Sequence, residues 1–220
     1  MPAAPAGYRE LARSLSHFQL GESGEGTYLL REAERAHPDD PAYREALSLF
    51  IREEKEHARL LQKLVERYQG RLVKKHWTHS LFRLVRRAFG IRFEIQVLVI
   101  AELIGTAYYR LVAERLPDEV VRQVCELVLR DEAQHLGFHV DRLSMDQKAW
   151  LPVEQALWQG QFQILFLGAL QVAWIDHGAA LRTLGITYAE FQREARCECI
   201  RFLASLTPGL SREETAVRVA

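Results

Sequence analysis

The feature that most constrains this 220-residue chain is a short pattern that occurs twice, Glu54-x-x-His57 and Glu132-x-x-His135. Residues three apart on an α-helix lie on the same face, so each Glu and its His point the same way. Apolar residues at helical spacing flank both motifs, and each motif stands where further residues of the buried face are expected. The sequence therefore predicts two helices that each direct a carboxylate and an imidazole into the core.

A second helix with a carboxylate on its apolar face precedes each motif. Glu102 interrupts an otherwise apolar face roughly 30 residues before Glu132. Glu22 lies at a similar distance before Glu54, and Glu25 follows it one turn later on the same face. The residues alone leave open whether Glu22 or Glu25 supplies the fourth carboxylate.

Four carboxylates buried in one core need compensating positive charge, because an unpaired buried charge costs several kcal/mol or more. No Lys or Arg occupies these apolar faces. Two divalent metal ions balance four carboxylates and two neutral imidazoles, and such ligands suit iron or manganese rather than structural zinc. We predict two iron ions, with manganese or a mixed pair as alternatives and a metal-free salt-bridge network as the competing interpretation. The predicted ligands are Glu22, Glu54, His57, Glu102, Glu132 and His135, with Glu25 as an extra or alternative ligand.

Neighbouring residues are candidates for supporting roles. A metal-bound His donates its second ring N–H to an acceptor. Asp131 and Glu53 each directly precede a motif Glu and are candidates for this role, each for the imidazole of the opposite motif. Tyr109 is a candidate redox-active neighbour, or only a packing residue. His139, one turn after the second motif, is predicted to be a core histidine and not a ligand.

The hydrophobic periodicity predicts an all-α chain, and no strand-period stretch occurs. Three glycines at 21–26 in the first helix indicate close helix contact or space kept open beside the metals. Segments with the form of capping boxes at 144–147 and 187–190 are expected to begin new helices. Long helices are predicted at 7–37, 41–70, 92–115, 117–143, 152–184 and 187–207, with a short helix at 80–89 in the connection.

The amino-acid composition narrows the range of functions that this chain can have. The 29 basic and 29 acidic residues balance, which argues against a nucleic-acid footprint, and three cysteines without a CxxC pair suit a reducing cytosol. No signal peptide is recognisable, and the apolar stretch at 164–175 is too short to span a bilayer, so a cytoplasmic protein without a membrane span is expected. Residues 67–93 contain eight basic residues and no acidic one. This segment is either a solvated face or a docking patch for an acidic electron-donor protein or an anionic substrate.

Several motifs resemble those of ferritin-like di-iron carboxylate proteins, over roughly residues 8–143. Gly21-Glu22-Ser23 and Glu54-Lys-Glu-His57 are similar to the rubrerythrin branch, and the segment at 130–138, with the helices that follow, resembles cyanobacterial aldehyde-deformylating oxygenases. In both groups the first ligand directly follows that Gly, which implies Glu22 rather than Glu25. The resemblance implies one domain over 1–220: a four-helix bundle at 8–143 with a long crossover between its second and third helices, and two extra helices at 146–206. The CxxC motifs of a rubredoxin module are absent, and the chain extends well beyond a storage ferritin.

These features predict an oxidoreductase that activates O2 or peroxide and oxidises a small or apolar organic substrate whose identity is unknown. The alternatives are a peroxidase or iron-handling protein of rubrerythrin or ferritin type, and a non-catalytic metal-stabilised scaffold. The apolar faces of the two extra helices could line an apolar pocket over the bundle, or could be plain core or the interface of a homodimer.

Overall fold

The computed structural model describes residues 6–87, 89–148 and 150–206, which fold into eight α-helices without a β-strand. The expectations for the N-terminal segment 1–5 and for the helix end at 207–209 lie outside these residues. The helices are α1 (Ala6–Glu22), α2 (Thr27–Ala36), α3 (Pro41–Arg67), α4 (Trp77–Arg86), α5 (Ile91–Arg115), α6 (Glu119–Gln147), α7 (Pro152–Thr183) and α8 (Tyr188–Ser205).

Four rods of helix make the bundle: α1 continued by α2, then α3, α5 and α6. The rod of α1 and α2 packs on α3, and α5 packs on α6. The connection at 68–90 carries α4, so it is the long crossover between the second and third rods. The last two helices pack outside, α7 against α1 and α5, and α8 mainly against α5. The predicted all-α bundle with a crossover and two additional helices is confirmed.

The predicted first helix is interrupted, which corrects the expectation of one continuous helix over 7–37. Helix α1 ends at Glu22, and α2 begins after Gly26, whose φ of 68° is a left-handed conformation that favours glycine. A Cβ on Gly26 would lie 2.3 Å from Cδ1 of Ile51, so this glycine serves close packing. A Cβ on Gly21 would meet nothing within 4 Å, so close packing does not explain that glycine.

Helix α6 runs longer than predicted and starts later. It begins at Glu119, with the Asp118 side chain accepting from the Val120 N–H at 3.0 Å, rather than at 117. The expectation that 144–147 begins a new helix is wrong, because α6 continues unbroken through Gln147. The capping box at Thr187 does begin α8, since its side chain accepts a hydrogen bond from the Glu190 N–H.

Two helices, α5 and α7, are long and apolar enough to cross a membrane by length and composition alone. The most apolar window of α5 is 83% buried inside the bundle, which identifies it as the central core helix. The corresponding window of α7 is 33% buried. Leu170 of α7 lies in the core, whereas Leu157, Ile164 and Leu167 are exposed, so α7 covers the bundle with one face only.

Candidate metal centre

Helices α3 and α6 bring the two repeated motifs face to face inside the bundle. Nδ1 of His57 lies 3.6 Å from Glu54 Oε1 and 3.7 Å from Glu132 Oε1. Nδ1 of His135 lies 3.4 Å from Glu54 Oε1 and 3.4 Å from Glu132 Oε2. Both imidazoles therefore direct the same ring nitrogen at the same two carboxylates, and Glu54 and Glu132 lie between them.

The break after α1 decides which N-terminal carboxylate reaches the motifs. Glu22 is the last residue of α1, and its carboxylate groups with Glu54 and His57 so that one ligand atom of each lies within 4.8 Å of the others. Glu54 belongs equally to the group with Glu132 and His135. Glu25 lies on the exposed segment between α1 and α2, outside both groups. The structure thus brings Glu22, and not Glu25, to the centre.

Glu102 is buried on α5, but its side chain contacts His139, which the sequence analysis predicted to be a core residue. Its Oε1 lies 3.1 Å from Nε2 of His139, which is fully buried one turn after His135 on α6. Among the described residues Glu102 belongs to neither three-residue group. Its charge still raises the pKa of Glu132, so the carboxylate lies in the same cluster. Helical spacing after His135 was the available signal that His139 faces this site.

The outward nitrogens of the two motif imidazoles contact the residues predicted to orient them. Nε2 of His57 lies 3.3 Å from Asp131 Oδ2, and Nε2 of His135 lies 2.9 Å from Glu53 Oε2. The contacts cross between α3 and α6, each helix supporting the imidazole of the other. When Nε2 carries the proton and donates to these carboxylates, the Nδ1 lone pair faces the cluster, as a metal ligand requires.

The inner atoms of this cluster lack hydrogen-bond partners among the described residues, although most buried polar groups in proteins are paired. They are Glu54 Oε1, His57 Nδ1, Glu102 Oε2, Glu132 Oε2 and His135 Nδ1. Burial, followed by neighbouring carboxylates, raises the pKa of Glu22 and Glu132 well above the usual range. Burial also raises the pKa of Glu54. Carboxylate oxygens and imidazole nitrogens that converge in this way without hydrogen-bond partners fit the coordination of divalent metal ions. The positive charge of the ions would take the place of the missing hydrogen bonds.

The walls of the cluster are aromatic. The ring of Phe50 stands edge-on to His135 at a centroid distance of 4.7 Å. The Tyr109 hydroxyl is buried and has no hydrogen-bond partner among the described residues. Burial, then the charges of Glu22 and Glu132, raises the pKa of Tyr109 well above its usual value. Tyr109 therefore stays protonated beside the carboxylates, with a hydrogen available for donation.

A separate polar cluster lies where α1, α4 and α7 meet, and the sequence analysis missed it. Asp176 Oδ2 accepts from the Thr78 hydroxyl at 2.6 Å and lies 3.3 Å from His76 Nδ1 and 3.7 Å from His17 Nδ1. The ligand atoms of His17, His76 and Asp176 lie close enough together to hold a metal ion. The His17 and His76 rings are stacked at 4.0 Å, so their in-plane lone pairs run side by side and do not converge on one point. We interpret the cluster as the anchor of α4.

A second missed feature is a buried hydrogen-bond chain between α1, α5 and α7. The Ser14 hydroxyl lies 2.8 Å from His177 Nδ1 and 2.7 Å from the Tyr108 hydroxyl. Burial lowers the pKa of His177 to about 3, so its imidazole is neutral. The sequence carried no motif around these residues, because the contacts join helices far apart in the chain.

The sequence matches no family model and no curated protein. Among solved structures, the chain is similar to "Protein 19 with aldehyde deformylating oxidase activity from Synechococcus", with a TM-score of 0.66 and 22% identity. The alignment covers 100% of this chain and 98% of that chain. The similarity extends over both extra helices as well as the bundle, so it confirms the predicted ferritin-like fold as a whole.

Proposed function

We propose that this protein is a non-haem oxidoreductase that uses a pair of metal ions, iron in the first instance, to activate O2 or peroxide and oxidise an apolar organic substrate. The observation that carries the proposal is the convergence of two buried Nδ1 atoms on the buried inner oxygens of two shared carboxylates, Glu54 and Glu132. A site built only for stability would pair these atoms with hydrogen-bond donors or with Arg and Lys. The shared fold of a protein with aldehyde deformylating oxidase activity adds support and suggests apolar aldehydes as the first substrates to test.

In this proposal Glu54 and Glu132, which lie between the two imidazoles, would hold the metal pair together with His57 and His135. Glu22 would complete the set beside Glu54 and His57, and Glu102, whose Oε1 contacts His139, is the sixth candidate ligand. When bound, the metal pair would supply electrons for the reduction of O2 or peroxide. Manganese, or a mixed pair, remains the alternative because the same ligand types bind both metals.

The protein's own groups hold the ligands and exclude water. Asp131 and Glu53 fix the tautomer of the two imidazoles, so that Nδ1 stays free of a proton. The ring of Phe50, edge-on to His135, makes one wall of the site apolar. The Tyr109 hydroxyl is the nearby neutral donor, and its raised pKa keeps the proton in place until an acceptor comes within reach.

Metal analysis followed by turnover tests the proposal. Protein purified without added metal is expected to carry two ions per chain, measured by mass spectrometry. After anaerobic reduction, exposure to O2 in the presence of apolar aldehydes of increasing length should consume O2 and give an oxidised product. Turnover of hydrogen peroxide without any organic product would instead favour a peroxidase of rubrerythrin type.

Two carboxylates a few residues apart give a matched pair of variants. Glu22→Gln should lower metal occupancy and activity, because this carboxylate lies against Glu54 and His57. Glu25→Gln changes the same chemistry on the neighbouring exposed segment and should leave both unchanged. Equal loss in the two variants, or full metal occupancy in Glu22→Gln, would contradict the assignment of this site.

A further inference from the structure

Helix α4, in the crossover, presents an apolar stripe to solvent. None of its residues is fully buried. Trp77, Leu81 and Leu84 follow one another at spacings of four and three residues, so they share one face, and they are 53%, 42% and 73% exposed. Phe89, just beyond the helix, is 77% exposed. A surface helix of a soluble bundle normally turns polar residues outward, and a cluster of large exposed apolar side chains indicates a binding surface.

The same segment is strongly basic. Residues 67–93 hold eight Lys and Arg residues and no acidic residue. Three of them are neutralised by ion pairs with residues elsewhere: Arg67 with Asp118, Arg86 with Glu94, and Arg92 with Asp146. The other five have no acidic partner among the described residues. These five are Arg71, Lys74, Lys75, Arg83 and Arg87.

The inward side of α4 is fixed to the bundle at both ends, so the orientation of the stripe is set. At its start, the Thr78 hydroxyl donates to Asp176 of α7 at 2.6 Å. At its end, Arg86 Nε lies 3.1 Å from Oε1 of Glu94, a fully buried carboxylate of α5. These contacts hold the opposite face of α4 against the protein. The exposed apolar residues cannot turn inward without breaking them.

We propose that α4 and its flanking basic residues form a membrane-surface site that docks the protein on anionic phospholipid bilayers. Trp, Leu and Phe side chains beside Lys and Arg are the composition of helices that lie in the interface plane, with the apolar side chains entering the acyl boundary and the cations contacting headgroups. An acidic protein partner would pair with these five cations, which form no ion pair within the described residues. It would leave the exposed stripe of Trp77, Leu81 and Leu84, and Phe89 beyond it, unexplained.

The proposed membrane surface adjoins the end of the bundle that carries Glu22. The Arg87 guanidinium lies 4.4 Å over the ring of Tyr28, near the start of α2 and just after the break that follows Glu22. A bilayer bound to α4 therefore lies on the side of the molecule where α1 ends. The purpose of this docking rests on the proposed function, since an apolar substrate would be drawn from the bilayer. The docking itself needs no metal, so it is measurable on metal-free protein.

Vesicle co-sedimentation of the full chain tests the proposal, with metal-loaded and metal-free protein and vesicles of phosphatidylcholine with or without phosphatidylglycerol. We expect binding to the anionic vesicles only, weakening with salt. Leu84→Ser should reduce the partition coefficient about tenfold. Arg83→Ala with Arg87→Ala should reduce it about 25-fold, at about fivefold for each basic residue near the surface. Ile164→Ser is the matched control, because Ile164 on α7 is 73% exposed, as Leu84 is. The partition coefficient of this variant should equal that of the wild type.

Three results would overturn the proposal. The first is no sedimentation with anionic vesicles at low salt, and the second is an equal loss in Ile164→Ser and Leu84→Ser. The third is loss in the arginine variant with full binding by Leu84→Ser, which would assign the surface to a partner recognised by charge, such as an acidic protein. Circular dichroism establishes that each variant is folded. If vesicles bind but no metal or turnover is found, the membrane site stands while the proposed function fails.

Discussion

Replacing Glu132 by Gln should make the metal-free protein more stable and the metal-treated protein less stable than the wild type. Glu132 is 3% exposed, and burial followed by the charges of Glu102 and Glu22 raises its pKa well above the ordinary 4.5. A carboxyl whose pKa is raised by folding holds its proton in the folded state after the unfolded chain has lost it. The free energy of unfolding therefore falls as the pH rises from about 4.5 towards the folded-state pKa. Gln keeps the shape and has no proton to lose.

The size of the effect follows from the burial and the missing partners. A buried polar group without a partner costs about 1–3 kcal/mol, and more when it is charged. Removing the charge at pH 8 should thus raise the stability of metal-free protein by about 1–3 kcal/mol. For a chain of this size that corresponds to roughly 2–12 °C in Tm. With metal at 100 times its Kd, the wild type should gain about 2.7 kcal/mol for each site, whereas the variant lacks one of the carboxylates that the proposal assigns to the metal pair.

Thermal unfolding at pH 5 and pH 8, with chelator and with Fe2+ under anaerobic conditions, measures all of these quantities. Glu126→Gln is the control, because Glu126 is exposed on the same helix and its ion pair with Arg122 lies at the solvent-screened surface. If metal-free Glu132→Gln is less stable than wild type at pH 8, Glu132 is stabilised by charged imidazoles. The site would then be a salt-bridge network, and the argument for metal would be refuted. An Fe2+-induced rise in Tm as large in the variant as in wild type would refute it equally.

Three further outcomes follow from single contacts. Asp131→Asn should weaken metal affinity about 10- to 100-fold with little change in fold, because it weakens the contact that orients the imidazole of His57. Competition with a chelator measures this affinity. His139→Leu should lower the free energy of unfolding in urea by about 1–3 kcal/mol, since it leaves Oε1 of buried Glu102 without its partner; an unchanged midpoint would contradict the contact. Gly26→Ala should cost about 1–3 kcal/mol by the same assay, because of its left-handed φ and the crowding of a Cβ, while Gly21→Ala should be neutral or slightly stabilising.

The class of fold was predictable because the buried faces of its helices repeat at helical spacing over long stretches. Leu47 and Leu61 of α3, on either side of the first motif, are fully buried, as that spacing requires. The same reasoning failed at residues 144–147, where a pattern suited to a helix start lies inside α6. A capping box stabilises a helix only where backbone N–H groups lack partners, and there the preceding turns of α6 already pair them. Tertiary packing of Leu143 and Gln147 carries the helix onward.

At the candidate site, the motif residues and the acceptors of their imidazoles could be predicted, whereas the partner of Glu102 could not. Glu and His at helical spacing on an apolar face have few roles, so the motif alone indicated which way they point. His139 and Glu102 are 37 residues apart on two different helices, so helical spacing turns His139 towards the site but no local pattern pairs it with Glu102. The same limit applies to the cluster around Asp176, whose partners come from α1 and the segment before α4. Side chains that meet only through packing leave no periodic signal.

The interruption after Glu22 gives this candidate ligand a position that differs from those of the other three carboxylates. Glu54, Glu102 and Glu132 lie within helices, each held by turns on both sides, whereas Glu22 is the last residue of α1. The C-terminal end of a helix carries partial negative charge, which disfavours a carboxylate and favours a cation. The end of α1 would therefore favour a metal ion held by Glu22. Gly21 and Gly24 have open space or ordinary contact where a side chain would stand, so close packing does not hold the backbone next to Glu22 in place.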